Sequence, residues 1–337
     1  MSTNTPNSNI VEIFESFRYC KVLIIGDVMM DKYIFGHTNR VSPEAPVPVI
    51  DVYRRESRLG GAANVALNIK ELGAKPLLAS VVGDDDDGHD IKQLLGAQGI
   101  GTANVLLDQD RRTTVKTRII SRNQQVLRYD YEQCTPLDEN TELLLLDSII
   151  DIIYTEHPNV VIFQDYNKGV LSTKIIENVL HHCQQSNIPT AVDPKRENFF
   201  AYRGCTLFKP NLKEAAEALR LDLNPSKVET LIEADTQLRR LIGNEISVIT
   251  LSDKGIFWAL DDDREIIPAY TRRIVDVSGA GDTVIALMAL GLALDLPIFA
   301  TAELANIAAG LVCEQVGVCP VQGNILQREA EMLLAAE

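Results

Sequence analysis

The chain has 337 residues, 46% hydrophobic and 23% charged, and its 32 Lys and Arg against 47 Asp and Glu give a formal charge of −15. That balance excludes a disordered chain, and a chain of this length buries roughly three quarters of its unfolded surface without disulfide or metal staples. The acidity excludes a general nucleic-acid coat, which needs a basic face, while a local cluster of donors can still serve an anionic metabolite.

The polar stretch Met1–Asn9 lacks the basic start and apolar run of a signal peptide, and leads into a first helix ahead of one principal domain over 20–330. Lys21–Ile25 reads as a buried strand ending in Gly26-Asp27. Tyr33–Tyr53 is extended and broken by prolines through Ser42–Pro48, which suits an edge rather than a central strand. Gly60-Gly61-Ala62-Ala63-Asn64 opens a helix over Ala62–Leu72, followed by a strand over Leu77–Val82. The acids Asp84–Asp87 precede a helix over Asp87–Ala97 and read as solvated first-turn carboxylates. Thr113–Tyr131 resembles a hairpin turning near Arg122-Asn123-Gln124.

Helices over Glu139–Tyr154, Thr173–Gln185, Asn211–Leu219 and Ser226–Ile242 then alternate with strands at Val160–Phe163, Thr190–Val192, Thr206–Phe208 and Ser247–Thr250. From Gly281 to Val316 the chain is nearly all helical, and its longest charge-free apolar run, Thr283–Leu294, is too short to span a bilayer. The alternation predicts an α/β fold with a doubly wound, mostly parallel sheet flanked by helices. The two irregular segments, about 33–53 and 113–131, predict a small β-sheet lid. Six scattered cysteines without a C-x-x-C pair point to a reducing cytoplasm, and the five histidines form no metal pattern.

In open α/β sheets ligands gather beyond the carboxyl ends of the strands. Polar clusters fall at those ends: Gly26-Asp27, Asp165 to Gly169, Asp193-Pro194-Lys195, and Ser252 to Gly255. The most informative stretch is Asp276-Val277-Ser278-Gly279-Ala280-Gly281-Asp282-Thr283, which runs into an apolar helix. Small residues at Gly279, Ala280 and Gly281 let backbone N–H groups approach an anion at a helix start. Asp282 in the same turn is either a helix-stabilising acid or the base for phosphoryl transfer to a hydroxyl. No P-loop and no dinucleotide fingerprint is present. Asn211 with Glu214 three residues later reads first as a capping box, and Asn64 after paired glycines offers both a donor and an acceptor to a ligand.

Gly60 to Asn64 together with Asp276 to Thr283 resembles the two signatures of the ribokinase-like (phosphofructokinase-B) carbohydrate kinases, over about residues 20–325. Within that family, Arg40 to Val49, Ser121 to Gln125, Asp165-Tyr166-x-Lys168-Gly169 and Asp193-Pro194-Lys195 resemble the D-glycero-β-D-manno-heptose-7-phosphate kinases. Two positions depart from the pattern: Ser278 stands where Thr is frequent, and Arg196 where Gly commonly follows the lysine. The bifunctional members carry a further adenylyltransferase domain. This chain ends at Glu337 without one, and so resembles the kinase half or a stand-alone kinase.

The resemblance implies transfer from MgATP to the anomeric hydroxyl of the heptose phosphate, on the route to ADP-heptose and the lipopolysaccharide core. It implies Asp282 as the base and Gly279, Ala280 and Gly281 as the anion hole. Nucleotide contacts would come from Lys195, Asn211, Leu212, Lys213, Glu214, Thr250, Ser252, Gly255 and Asn306, with Glu214 reaching Mg2+ through phosphates or water. Sugar contacts would come from Asp27, Asp31, Gly60, Gly61 and Asn64. The cations available for the 7-phosphate are Lys116, Arg118 and Lys168, with Arg122 and Arg128 nearby. A monovalent cation beside the Asp276–Asp282 loop is left open. The implied partners are the sugar phosphate and ATP, with neither nucleic acid nor membrane, and a second copy of the chain paired through the lid. Two alternatives stay open: another sugar kinase of the same family, and a non-catalytic sugar- or nucleotide-binding regulator.

Overall fold

The computed structural model describes residues 10–122, 124–270 and 272–334. Met1–Asn9 and Asn123, which the sequence reading assigns to the polar leader and the hairpin turn, lie outside the described residues. Helix α1 (Ile10–Phe17) precedes strand β1 (Lys21–Gly26). Alternate residues of β1 leave on opposite faces: Val22 and Ile24 enter one apolar core, Leu23 and Ile25 the other, and all four are buried. A strand covered on both faces reads as an unbroken apolar run, which is why β1 was legible.

The chain continues through β2 (Val28–Val41), β3 (Pro48–Gly61), α2 (Ala62–Glu71), β4 (Lys75–Gly83), α3 (Asp86–Ala97) and β5 (Val105–Asp108). After β6 (Thr114–Ser121) and β7 (Gln124–Tyr131) come α4 (Glu139–Glu156), β8 (Val160–Gln164), α5 (Thr173–Gln185) and β9 (Thr190–Asp193). The last part holds β10 (Leu207–Phe208), α6 (Leu212–Leu219), α7 (Val228–Ile242), β11 (Ile246–Thr250), β12 (Ile256–Leu260), β13 (Asp263–Ile267), α8 (Ala280–Ala293), α9 (Ile298–Cys313) and α10 (Gly323–Leu334).

Among the described residues the main sheet runs β13-β12-β11-β10-β9-β8-β1-β4-β5. It is parallel from β5 to β11, while β12 and β13 close the other edge as an antiparallel hairpin. Residues of α1, α2, α8 and α9 supply one core, and residues of α4, α5 and α7 the other. Helix α8 is apolar all round because it is enclosed by α2, α9 and the sheet, with Asp282 through Gly291 all buried. No described helix is long and apolar enough to cross a membrane.

The lid is a second sheet in the order β3-β2-β6-β7. Its own core is small, formed by Tyr33, Phe35 and Ile120, and every residue of β7 is exposed. Strands β2 and β3 pair from Val41↔Pro48 to Val28↔Gly61, so β3 delivers Gly60 and Gly61 straight into α2. The lid is thereby joined to the strand ends of the main sheet. The four-carboxylate run also proves structural. Asp85 caps α3, accepting from Gly88 N at 2.8 Å and from Thr113 N at 2.9 Å, and Asp87 pairs with Lys32.

Candidate active site

Helix α8 starts where it does because Gly279 takes the left-handed region at φ 86°, and a Cβ there would meet Asn64 Nδ2 at 3.1 Å. The first-turn amides of a helix have no intrahelical acceptor, and Ala280 N–H makes only a long 3.4 Å contact to Val277 O. Asp282 sits in that turn with 3% exposure. Its Oδ2 accepts from Asn64 Nδ2 at 2.7 Å, and its Oδ1 accepts from Gln164 Nε2 at 3.0 Å and Tyr166 Oη at 2.7 Å. Burial pushes the carboxyl up to about 6, against the Asn64 and Tyr166 donors; Asp193 adds to the rise and Lys209 opposes it.

On one side of Asp282 lies a chain of charges. Gln164 Nε2 also reaches Asp193 Oδ2 at 3.2 Å, and Asp193 is held between Lys195 at 3.1 Å and Lys209 at 3.0 Å. Burial opposes the charge of Asp193, yet those two ammonium groups keep its carboxyl below the ordinary range. Lys195 continues to Glu214 Oε1 at 2.7 Å; burial works against its charge, but Asp193 and Glu214 hold it firmly protonated. Asn211 and Glu214 make both bonds of a capping box on α6, each at 2.8 Å. Asn211 also bridges to Thr250 at the end of β11.

Of the other residues implied for the nucleotide, Ser252 takes φ 58° and Gly255 φ 98°, where a Cβ would lie 1.9 Å from Ile267 O. Asn306 on α9 donates to Pro268 O at 2.8 Å and so holds the segment after β13. Leu212 packs against the second core. Lys213 is turned to solvent, its side chain 83% exposed and 3.7 Å from Glu217, and the structure does not bring it to the others.

On the other side lie the glycines of β3. A Cβ at Gly60 would fall 2.1 Å from Asp31 Oδ2, and one at Gly61, with φ 59°, 2.3 Å from Asp27 O. Asp27 commits most of its acceptor capacity to the following loop, taking N–H bonds from Tyr166 and Lys168 on Oδ2 and from Val170 on Oδ1. Burial nonetheless raises its pKa, against those three amides and Arg111. Asp31 pairs with Arg118, whose guanidinium lies 5.4 Å from the centre of the Tyr33 ring. The lid cations are likewise partnered. Lys116 sits 3.3 Å from both Asp130 and Glu132, Lys168 is 2.9 Å from Glu132, Arg128 pairs with Asp130 at 2.6 Å, and Arg122 reaches Thr38 O at 3.5 Å. Of the cations expected from the sequence, Lys116, Arg118, Lys168 and Arg128 therefore face carboxylates, with Glu132 joining Lys116 to Lys168, while Arg122 meets a backbone carbonyl.

Three residues of this constellation were not assigned to the site from sequence. Lys209 is 2% exposed, and a Cβ on Gly281 would sit 3.8 Å from its Nζ, so a buried positive charge lies beside the glycine turn. Its signal was a lysine directly before Pro210-Asn211. Gln164 is the one polar residue of β8, and its polarity in an otherwise apolar strand was the available cue. Tyr166 stood inside a quoted motif, but its reach to Asp282 spans 116 positions of sequence.

Comparison with known proteins agrees with this architecture. Escherichia coli phosphofructokinase-2 in complex with substrates and products superposes with a TM-score of 0.77, covering 94% of this chain and 99% of that one at 16% identity. Arabidopsis thaliana ribokinase complexed with ribose and ATP gives 0.70 over 92% and 98%, also at 16% identity. At such identities the likeness is one of fold. Closer in sequence are the bifunctional proteins HldE of Pelobacter propionicus, 40% identical over 314 residues, and of Trichlorobacter lovleyi, 39% identical over 313. Both alignments cover 93% of this chain but only 64% and 63% of the relatives' own length. The model of the pfkB family carbohydrate kinases matches residues 20–322, taking in the strand ends, the lid and the start of α8. With that match spanning both the sheet and the Asp282 turn, the chain belongs to the pfkB family of carbohydrate kinases.

Proposed function

We propose that this chain transfers the γ-phosphoryl group of ATP to the anomeric hydroxyl of D-glycero-β-D-manno-heptose 7-phosphate. The product, heptose 1,7-bisphosphate, would feed ADP-heptose and lipopolysaccharide core synthesis. The observation that carries the chemistry is Asp282: a buried carboxylate, pushed up to about 6, in the first turn of a glycine-opened helix and near Lys209. The substrate reading is supported by similarity to proteins named HldE across 93% of the chain, together with the Arg40–Val49 lid segment. The kinase unit is taken as residues 20–330.

In this reading Asp282 accepts the hydroxyl proton, and the amides at Gly279, Ala280 and Gly281 stabilise charge on the phosphoryl group in flight. Asn64 Oδ1 and Gln164 Oε1 are buried acceptors with no partner among the described residues, a fit for sugar hydroxyl donors. Lys195, Asn211, Glu214, Thr250, Ser252, Gly255 and Asn306 lie on the nucleotide side. Mg2+ bound with ATP supplies charge neutralisation on the phosphates. Both oxygens of Glu214 are already engaged, and no three His, Cys, Asp or Glu side chains converge among the described residues, so Glu214 fits contact through water rather than a protein cage.

A phosphate dianion on the sugar would replace Glu132 as the counterion of Lys116 and Lys168. The same reading includes a monovalent cation beside Asp276, whose carboxylate is held below the ordinary range, against burial, by N–H bonds from Ser278 and Gly317. It also includes a reducing cytoplasm, which suits the six free cysteines. The test is steady-state ATP-dependent turnover across ribose, fructose 6-phosphate, free heptose and heptose 7-phosphate. The highest kcat/KM is expected for heptose 7-phosphate; a preference for any other sugar would overturn the substrate assignment.

A further inference from the structure

The loop after β8 is tied down residue by residue. Asp165 accepts from Asn167 N at 2.8 Å, Tyr202 Oη at 2.8 Å and Asn198 Nδ2 at 3.2 Å. Tyr166 N donates to Asp27 at 2.8 Å, Asn167 stands in the left-handed region at φ 54°, and Gly169 passes so close to Thr135 that a Cβ would fall 2.1 Å from its carbonyl oxygen. A side chain carried on this loop is held in place before any ligand arrives. The one it aims at Asp282 is Tyr166, with Oη 2.7 Å from Oδ1.

A carboxylate offers about four lone-pair sites. Gln164 and Tyr166 fill the two on Oδ1, and Asn64 fills one on Oδ2. The remaining site is therefore on Oδ2, whose donor Asn64 packs against the Gly279 turn. Tyr166 has a second contact: Lys195 Nζ lies 5.4 Å from the centre of its ring, within the range of a cation–π attraction. The phenol stands between the base and the lysine on the nucleotide side.

We propose that Tyr166 is the positioning residue of Asp282: it occupies Oδ1, so that Oδ2 alone receives the reacting hydroxyl, and its ring seats Lys195. This rests on the reading of Asp282 as the base. Tyr166 keeps its own proton, because burial and the charges of Asp282, Asp193 and Asp31 all push its pKa well above the ordinary value. It therefore acts as a fixed donor rather than a relay. The charged groups facing Asp282 are Asp193 from β9 and Lys209 after β10, and those facing the Tyr166 ring include Lys195 and Asp31 from β2; the substitutions below leave all four unchanged.

Tyr166→Phe keeps the ring and removes the donor. Losing a hydrogen bond to the ionised form raises an acid's pKa, here by roughly one unit. The Asp282 carboxyl carbon, identified by NMR as the resonance missing in Asp282→Asn, is expected to titrate about that much higher. The kcat at pH 6 should fall roughly fivefold and approach the parent value at pH 8.5, with KM for ATP unchanged. Tyr166→Leu should show the same titration shift and a several-fold higher KM for ATP. An unmoved midpoint in both variants, or a kcat loss equal at every pH, would overturn the proposal as a merely structural effect. Asp165 also titrates near 6, so an acid limb in kcat that moves while the Asp282 resonance does not counts against it as well. Full turnover in Asp282→Asn would instead remove the base assignment, an outcome read separately from the midpoint, which needs no substrate.

Discussion

Asp282 carries its charge in a site that disfavours it, and the cost is readable in the pH dependence of stability. Its folded pKa of about 6 lies above the ordinary 3.8, so between about pH 4 and 6 the native state binds more protons than the unfolded chain. Stability from this group is complete below that window and is lost as pH rises through it, by about 3 kcal/mol. Asn at 282 carries no such penalty. The difference in Tm between Asp282→Asn and the parent should therefore be more favourable to the variant at pH 8 than at pH 4.5. A difference that does not change with pH would contradict the raised pKa. Turnover should move the other way, falling about 10²–10⁴-fold in Asp282→Asn, the usual contribution of a general base. At this scale the sequence was informative where the chemistry is local. Gly279 to Asp282 and the Asn211–Glu214 cap each fall within four positions, whereas Gln164 and Tyr166 reach Asp282 across 118 and 116 positions, and no local rule connects them.

Helix α6 shows how one element serves two ends. Glu214 satisfies the Asn211 N–H through Oε2 and holds Lys195 through Oε1. Glu214→Gln keeps an acceptor for the cap and loses the charge facing Lys195. Melting should change by no more than about 1 kcal/mol, the scale of a single cap, while KM for MgATP rises across magnesium concentrations. Early melting with unchanged kinetics would mean that the cap is all Glu214 provides. Elements buried on both faces or bounded by strong turn signals were legible, as β1, β8 and α5 illustrate. The β12–β13 hairpin was not singled out, because Asp261-Asp262 joins two short strands without a glycine and Asp261 supplies the positive φ at 51°. Helix α10 buries only Leu326 and Ala330, which left its apolar period weak.

The lid organises the molecule beyond the single cleft. Glu132 gathers Lys116 and Lys168, one from β6 and one from the Tyr166 loop, so a phosphate bound between them would draw the lid to the strand ends. Lys116→Ala with Lys168→Ala should raise KM for heptose 7-phosphate at least tenfold and leave turnover of unphosphorylated heptose unchanged; equal effects on both sugars would remove the phosphate from this place. The outer strand β7 exposes Leu127, Tyr129 and Tyr131, and its outer edge pairs with no further strand among the described residues. Such an edge is a liability unless covered, and a dimer through the lid would cover it. Light scattering should therefore give twice the chain mass at micromolar concentration; a fully active monomer would contradict that arrangement. The prolines of Ser42–Pro48 and the hairpin made the lid visible in the sequence, but its sheet order, with β2 parallel to β6, depends on contacts across about 85 positions. The central claim, phosphoryl transfer to the anomeric position of a 7-phosphorylated heptose, is tested most directly by following the reaction with MgATP by 31P NMR. One new sugar-phosphate resonance on C1, appearing in equal amount with ADP, is the result expected; ADP formed with inorganic phosphate alone, or a new phosphate on any other carbon, would contradict it.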